Sequence, residues 1–210
     1  MAKRPYDSTH RQAQARATRQ RIVVAATLLF QERGYAATSI AAVADAAGVA
    51  PQTVQAAFGS KAALLGEAVA TALTGDDEPV AVIDRPDSRA LLEVTDPETA
   101  ADSFSRAVTE ILLRAGKLIY AADAAADGDE ALDDLRRAGH RGRLTDMRTT
   151  AEAFRRNGLL RADLTADAAA DLLWLLTSPD AFRAFTLHRG WSAEQFERWL
   201  ADTLRRMIFV

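Results

Sequence analysis

The sequence predicts an all-α protein, and three observations support that fold class. Alanine is abundant, β-branched residues are sparse, and the alternation of apolar and polar residues that is typical of strands is almost absent. Hydrophobic residues make up 49% and charged residues 26% of the 210 residues, which is typical of a globular protein with a sizeable core. We expect an N-terminal helix-turn-helix domain of three helices and a larger C-terminal helical domain.

Composition excludes several classes of site. Because the chain has no cysteine, it forms neither disulfides nor thiolate metal sites, and it has no cysteine nucleophile. The N-terminus lacks the apolar segment of a signal peptide, and no run of about 18 apolar residues would cross a membrane. We therefore expect a cytoplasmic protein with no membrane partner.

The net charge of −3 conceals an asymmetry between the two ends of the chain. Residues 1–73 contain eight basic and four acidic residues, a charge of +4, which leaves 18 basic and 25 acidic residues, a charge of −7, in the rest. A basic end on an acidic body indicates that the N-terminal part meets a polyanion, although a solvated basic tail would give the same asymmetry.

The first helix is predicted to begin at about Arg16, after a flexible basic arm over residues 1–14. Gly34 ends it, because glycine readily adopts the left-handed conformation that follows a helix. Its apolar residues fall at i, i+3, i+4, i+7 and i+8 and form one stripe. They are Ile22, Ala25, Ala26, Leu29 and Phe30.

Two short helices follow, separated by a tight turn. Thr38 and Ser39 supply an N-cap for a helix over residues 40–46, and residues 47–49, Ala-Gly-Val, form the turn. The next helix runs over 51–58 and begins with proline, which is tolerated there because its missing N–H would have no partner.

A fourth helix is predicted over residues 61–73, and the segment after it is the best candidate for a linker. Residues 75–88 contain two prolines and lack a helical period. The chain therefore divides into a helix-turn-helix domain at 15–73 and a second domain at 74–210.

The second domain is predicted to be helical throughout. Caps and prolines mark several helix starts, namely Asp96-Pro97, Thr165, Ser178-Pro179 and the capping box Ser192-Ala193-Glu194-Gln195. The predicted helices are 89–94, 97–115, 118–126, 130–157, the leucine-rich segment after Thr165, 179–188 and the segment after the capping box.

Residues 38–65 carry the functional motif. Two short helices joined at Gly48 form a helix-turn-helix, whose second helix can enter the major groove of DNA. Val54 and Phe58 would pack on the preceding helix, so the other side chains face outward. Glutamine can pair with an adenine edge, threonine can bond a base or a phosphate, and alanine can contact a thymine methyl. The outward side chains are Gln52, Thr53, Gln55 and Ala56.

This segment resembles the DNA-binding domain of the tetracycline-repressor (TetR) family of bacterial transcriptional regulators. The resemblance is specific over residues 16–73 and rests on Ala-Thr-Ser, Ala-Gly-Val, Thr-Val, Phe-x-Ser-Lys and Leu-Leu in the family's order. It implies that Ser39 or Thr38 caps the second helix against a phosphate. It also implies that Lys61 binds a phosphate at the start of the fourth helix, because helix N-termini and ammonium groups both favour anions.

Three positions depart from the family pattern. Ala50 replaces a serine that often caps the third helix, at a cost of about 1 kcal/mol. Gln55 and Ala57 stand where the family usually has tyrosine and an aromatic residue or histidine, so two phosphate contacts are missing. The alternative to weaker binding, a helix-turn-helix that no longer binds DNA, stays open. If the chain does bind DNA, we expect its phosphate contacts to come more from the N-terminal arginines Arg11, Arg16, Arg19 and Arg21.

The resemblance also implies what the second domain does. We expect a homodimer through residues 165–208, whose two recognition helices read half-sites of a palindromic operator about 34–36 Å apart. A purely internal core over 165–208 is the alternative. We expect a small-molecule effector, largely apolar, that favours a conformation with the wrong spacing and so releases a repressor from DNA.

Candidate effector contacts are the aromatic and apolar residues of the central helices, with few polar groups among them. Each of them could equally belong to the core. They are Phe104, Leu112, Tyr120, Met147, Phe154, Trp174 and Thr177.

Other candidate sites lack support from spacing. The histidines His10, His140 and His188 do not have the spacing of metal ligands. His140 could contact the effector, but a surface position is the reading that we favour. The acidic run at 127–134 lacks the pattern of a calcium loop and suits a helix start. We expect no metal, no cofactor and no enzymatic activity.

Overall fold

The computed structural model describes residues 8–78 and 80–210, and these residues form ten α-helices and no β-strand. The prediction of an all-α fold is confirmed. The chain divides into two compact units, Met1–Ala70 and Thr71–Val210. Within the described residues, none of the helices has the combined length and apolarity that crossing a membrane requires.

The first unit packs short helices around one small core. It contains α1 (Ser8–Arg33), α2 (Ile40–Ala47), α3 (Pro51–Phe58) and most of α4 (Lys61–Thr74). The predicted apolar stripe of α1 is buried. The buried side chains of the unit include Ile22, Ala26, Phe30, Val43, Val54, Leu64 and Leu65.

The first helix is longer than the sequence indicated. It begins at Ser8 rather than at about Arg16, so residues 8–14 are helical where a flexible arm over 1–14 was expected. Residues 1–7 of that arm lie outside the described part of the chain. Alanine, glutamine and arginine are good helix formers and no glycine or proline interrupts them, so α1 extends beyond its apolar stripe.

Glycine sets the geometry of the turn between α2 and α3. Gly48 has a φ of +65°, a conformation that costs other residues more than glycine. Its N–H donates to the carbonyl groups of Ala44 and Asp45. At the start of α3, Ala50 provides no side-chain cap, as the sequence predicted, and Pro51 occupies the first turn.

The second unit contains the remaining helices and a short 3₁₀ turn, Val82–Asp84. Its secondary structure matches most predicted starts, including the capping box at Ser192 and Gln195. A π-helical turn, Ala184–His188, continues α9. The helices are α5 (Pro86–Leu92), α6 (Pro97–Ala126), α7 (Glu130–Arg156), α8 (Ala166–Leu176), α9 (Pro179–Arg183) and α10 (Ala193–Met207).

The prediction of two helices at 97–115 and 118–126 is wrong, because α6 is continuous through Gly116. A glycine inside a helix costs only about 1 kcal/mol, and burial of the turns on either side outweighs that cost. Ala115 and Leu118 are both fully buried. A Cβ atom at Gly116 would lie 3.9 Å from the ring of Phe182, an ordinary van der Waals distance, so α6 packs against that ring at this turn.

Long helices of the second unit pack in pairs, α7 against α8 and α10 along α6. Arg205 on α10 bonds Glu98 and lies 2.6 Å from Asp102, near the start of α6. Arg106 is 4.0 Å from Glu197, near the start of α10. These contacts show that α6 and α10 run antiparallel. The core beneath them includes Phe104, Leu112, Phe154, Leu173, Phe196, Leu200 and Leu204.

Candidate functional site

The helix α3 presents one face to its own unit and the rest to solvent. Val54 is fully buried, which anchors the helix on α2. The four side chains that the sequence assigned to the outward face are all exposed, namely Gln52, Thr53, Gln55 and Ala56. Gln55 is partly engaged, because its Nε2 donates to the carbonyl oxygen of Gly59 at the end of the same helix. The outward face therefore offers an amide and a hydroxyl at Gln52 and Thr53.

Serine caps two helix N-termini in this unit. The Oγ of Ser39 accepts from the N–H of Ala42 at 3.1 Å, and the Oγ of Ser60 accepts from the N–H of Ala63 at 3.0 Å. Both serines are exposed. The N-terminal N–H groups of α2 and α4 carry the positive end of a helix dipole, which favours anions such as phosphate.

The structure does not leave Thr38 available for a phosphate, which corrects one of the two capping alternatives. Its side chain is only 1% exposed. Its Oγ1 donates to carbonyl oxygens at the end of α1, 2.8 Å from that of Gly34 and 3.2 Å from that of Leu29. Ser39 caps α2 instead, and Thr38 ties the α1–α2 loop to α1.

Lys61 is engaged inside the unit. Its Nζ donates to the carbonyl oxygens of Tyr35 at 2.9 Å and Thr38 at 3.0 Å, and it lies 4.0 Å from the centre of the Tyr35 ring. The side chain is half-buried. These contacts hold the start of α4 against the α1–α2 loop, and they use two of the three N–H groups of the ammonium.

Arg19 on α1 also makes contacts within the unit. Its guanidinium donates to the carbonyl oxygen of Ala57 at 2.8 Å, pairs with Glu67 at 3.1 Å, and stacks on the ring of Phe58 at 4.2 Å. It thereby joins α1 to the end of α3 and to α4. Arg16, one turn earlier on α1, is exposed.

The candidate effector residues of the second unit do not form one lining. Phe154 is fully buried with its ring 6.0 Å from that of Phe104 and 5.1 Å from that of Phe209, and Leu112 belongs to the same core. Tyr120 is 43% exposed, and the guanidinium of Arg183 lies 3.6 Å from its ring.

Met147 and Thr177 lie together where α7 passes the end of α8. The Oγ1 of Thr177 donates to the carbonyl oxygen of Leu173 at 2.7 Å and lies 3.8 Å from the sulfur of Met147. One turn away on α7, Arg143 stacks on the ring of Trp174 at 4.4 Å. The face of α7 at positions 140, 143 and 147 therefore lines this end of α8.

Sequence reasoning missed Arg143 as a candidate, although a signal was present. Arg143 and Met147 are four residues apart and share a helix face, which puts a charge beside an apolar residue. Burial lowers the pKa of Arg143 to about 10, so the group is partly desolvated but still charged at neutral pH.

A surface cavity of about 430 Å³ lies in the predicted dimer segment, and its lining includes Trp191, Arg198, Trp199 and Asp202. The ring of Phe185 packs on those of Trp191 and Trp199, both at 4.4 Å. Across residues 8–78 and 80–210, no three histidine or acidic residues are arranged to hold a metal ion.

Comparison with known families matches residues 22–68 to the family described as bacterial regulatory proteins, tetR family. Among curated proteins, the chain is similar to the HTH-type transcriptional repressor BdcR of Escherichia coli (strain K12), with 37% identity over 78 residues. That match covers 36% of this chain and 40% of the repressor, so it spans two fifths of that relative's length.

Two solved structures share the fold over almost the whole chain. A protein from Mesorhizobium loti assigned to the TetR family of transcriptional regulators superposes with a TM-score of 0.70 at 24% identity, covering 93% of this chain and 98% of that one. A protein from Saccharomonospora viridis assigned as a transcriptional regulator, in complex with choline, gives a TM-score of 0.68 at 21% identity, covering 91% and 97%.

Proposed function

We propose that the chain is a transcriptional repressor of the tetR family of bacterial regulatory proteins, which binds an operator sequence and is released by a small molecule. The observation that carries the proposal is the exposed face of α3, which presents Gln52 and Thr53 on a helix anchored by the buried Val54. A helix of this kind fits the major groove, where amide and hydroxyl groups read base edges.

The DNA contacts divide into base-reading and phosphate-binding groups. We assign base reading to Gln52 and Thr53, with Gln55 and Ala56 at the edge of the same face. Phosphate contacts fall to Arg16 and to the α2 N-terminus capped by Ser39, because arginine and helix N-termini both attract anions. The contacts of Thr38, Lys61 and Arg19 within the first unit favour a role in positioning α3.

Two copies of the chain would bind a palindrome through recognition helices about one turn of DNA apart, roughly 34–36 Å. We place the dimer interface within residues 165–208. The support is the aromatic surface around Phe185, Trp191 and Trp199 and the cavity beside it, because aromatic side chains are enriched at such interfaces. A repressor of this kind acts in the cytoplasm, where bacterial DNA lies, and we assign it no catalytic residue.

The effector would bind the second unit. The choline complex of the Saccharomonospora viridis protein, which has the same fold, supports a ligand site on this scaffold. Release from DNA requires that the effector bind the DNA-free conformation more tightly than the DNA-bound one.

Selection from a pool of random duplex DNA at two salt concentrations tests the proposal. We expect enrichment of a palindrome, with affinity that falls steeply as salt rises because phosphate contacts release counterions. Salt-sensitive binding without any enriched motif would contradict it.

A second function, a TetR-like dimer that binds a ligand or protein partner but reads no operator, is favoured by one observation. Gln55 stands where the family usually has tyrosine, and its amide is turned back onto Gly59. Failure of the selection to enrich any sequence, together with an intact dimer in solution, would support this function over the first.

A further inference from the structure

We propose that one corner of the second unit binds a zwitterionic small molecule, a compound that carries both a carboxylate and an ammonium group. The charged corner, as we call it, consists of Asp123 on α6, His140 and Arg143 on α7, Trp174 at the end of α8 and Asp180 on α9. The inference rests on the proposed effector-binding role of this unit and adds the chemical class of the ligand.

The positive side of the corner is a cation without a carboxylate partner. The guanidinium of Arg143 stacks on the ring of Trp174 at 4.4 Å, and its Nη1 donates to the carbonyl oxygen of the same residue. No carboxylate among the described residues pairs with it. Beside it, the Nε1–H of Trp174 is buried and has no acceptor. The indole N–H of Trp174 and the N–H groups of Arg143 other than the one on Trp174 therefore lack the acceptor that a ligand carboxylate would supply.

The negative side of the corner is a carboxylate without a donor. Asp123 is half-buried and has no hydrogen-bond or ion-pair partner within the described residues. Burial raises its pKa, and the charges of His140 and Arg136 oppose the rise while that of Asp180 adds to it. Arg136 does not pair with Asp123, because it is held by other acids of the α6–α7 connection and of α7, Asp127 and Asp133.

The neighbouring helices bring a second carboxylate to the same place. Tyr120 on α6 lies under Arg183 on α9, with the guanidinium 3.6 Å from the ring. Asp123 follows Tyr120 by three residues and Asp180 precedes Arg183 by three, so both acids lie one turn from this contact. Asp180 interacts electrostatically with Asp123 and with Arg143, which links the two sides.

Only a ligand of both charges satisfies the whole corner. A simple anion would accept from Arg143 and Trp174 but would be repelled by the two aspartates. A simple cation would be repelled by the arginine. A zwitterion can donate its ammonium N–H groups to Asp123 while its carboxylate accepts from Arg143, and both contacts are charge-assisted. His140 is exposed, and its ring lies 5.9 Å from that of Trp174. A ligand can therefore reach the corner from solvent on the side of His140.

Calorimetric titration of the full chain without DNA tests the inference independently of the repressor function. The probes are linear aminocarboxylates of increasing chain length, each compared with the carboxylate that lacks the ammonium and the amine that lacks the carboxylate. We expect at least one aminocarboxylate to bind roughly tenfold or more tightly than both of its matched analogues, because each loses one charge-assisted contact.

Variants assign the two ends of the ligand. Arg143→Gln should remove the advantage over the amine, and Asp123→Asn should remove the advantage over the simple carboxylate. Arg143→Lys keeps the charge and should retain part of the preference. The matched controls are Arg148→Gln and Glu110→Gln, exposed residues on α7 and α6, which should change neither preference.

Two results would overturn the inference. One is that no aminocarboxylate binds the unaltered chain more tightly than both analogues. The other is that both preferences survive in Arg143→Gln and Asp123→Asn with helical content retained by circular dichroism. Operator selection succeeds or fails independently of either result, because no DNA is present in the titration.

Discussion

The two units treat their buried polar groups differently. In the first unit, the hydroxyl of Thr38 and the ammonium of Lys61 donate to carbonyl oxygens of the α1–α2 region. In the second unit, the hydroxyls of Ser105 and Thr109 and the indole N–H of Trp174 are buried with no partner in the described chain. An unsatisfied buried donor costs about 1–3 kcal/mol, so the second unit tolerates a cost that the first unit avoids.

This difference matches the demands of the two proposed roles. A surface that reads base edges must hold its side chains in one geometry, and the bonds of Thr38, Lys61 and Arg19 fix the elements that support α3. A unit that responds to a ligand needs two conformations of similar free energy, and unpaired polar groups lower the preference for the ligand-free one. Four substitutions test this contrast.

The largest effect is expected for Thr38→Val, which removes a buried hydroxyl and leaves its carbonyl acceptors without that donor. We expect the free energy of unfolding of the first unit to fall by about 1–3 kcal/mol. Amide hydrogen exchange resolved to the residues of α1 and α2 measures it. The matched control is Thr53→Val, an exposed threonine of the same unit, which should change stability by less than about 0.5 kcal/mol. Equal losses of unfolding free energy in Thr38→Val and Thr53→Val would contradict the stabilising role of the buried Thr38 hydroxyl.

Gln52→Ala should alter sequence preference without altering stability. Loss of one base-reading side chain reduces discrimination at one base pair of each half-site by about 1–3 kcal/mol. Repeating the duplex selection with the variant measures the change, and Glu110→Ala, at an exposed position of α6 in the second unit, is the control. An identical enriched sequence for Gln52→Ala would remove Gln52 from the reading face.

Lys61→Met separates positioning from phosphate binding. A positioning role predicts that DNA affinity falls by roughly tenfold while its dependence on salt keeps the same slope, since no phosphate contact is lost. A phosphate contact predicts a slope reduced by about 0.9. Binding measured at four or more salt concentrations distinguishes them, and Lys117→Met, an exposed lysine of the second unit, should leave both quantities unchanged.

The parts of the fold that local chemistry determines were predictable from the sequence. The caps at Ser39, Thr165 and Ser192 and the turn at Gly48 follow from single residues whose local role is strong. The burial of Val54 follows from helical spacing within α3. The cap at Ser39, the turn at Gly48 and the burial of Val54 fix the helix-turn-helix and the outward face of its second helix.

The features that tertiary contacts determine were not predictable in the same way. Continuity of α6 through Gly116 depends on packing against residues far along the chain. The contacts of Lys61 with Tyr35 and of Arg19 with Ala57 join residues 26 and 38 positions apart, and spacing alone gives no sign of them. The charged corner likewise depends on four helices meeting, although Arg143 carried a weak signal in its position beside Met147.

The smallest effect is expected for Thr109→Val, and its sign is the informative part. Removing a buried hydroxyl that has no partner relieves its desolvation cost, so the free energy of unfolding should stay unchanged or rise by up to about 1 kcal/mol. Thr150→Val is the matched control, because that buried hydroxyl donates to the carbonyl oxygen of Asp146 at 2.9 Å and its loss should cost about 1 kcal/mol.

Urea unfolding followed by tryptophan fluorescence measures both variants, because all three tryptophans of the chain lie in the second unit. A loss of stability in Thr109→Val equal to that in Thr150→Val would mean that the Thr109 hydroxyl is bonded in solution. In the described part of the second unit, only Ser105 and Trp174 would then remain buried and unpaired, and the contrast with the first unit would depend on those two groups.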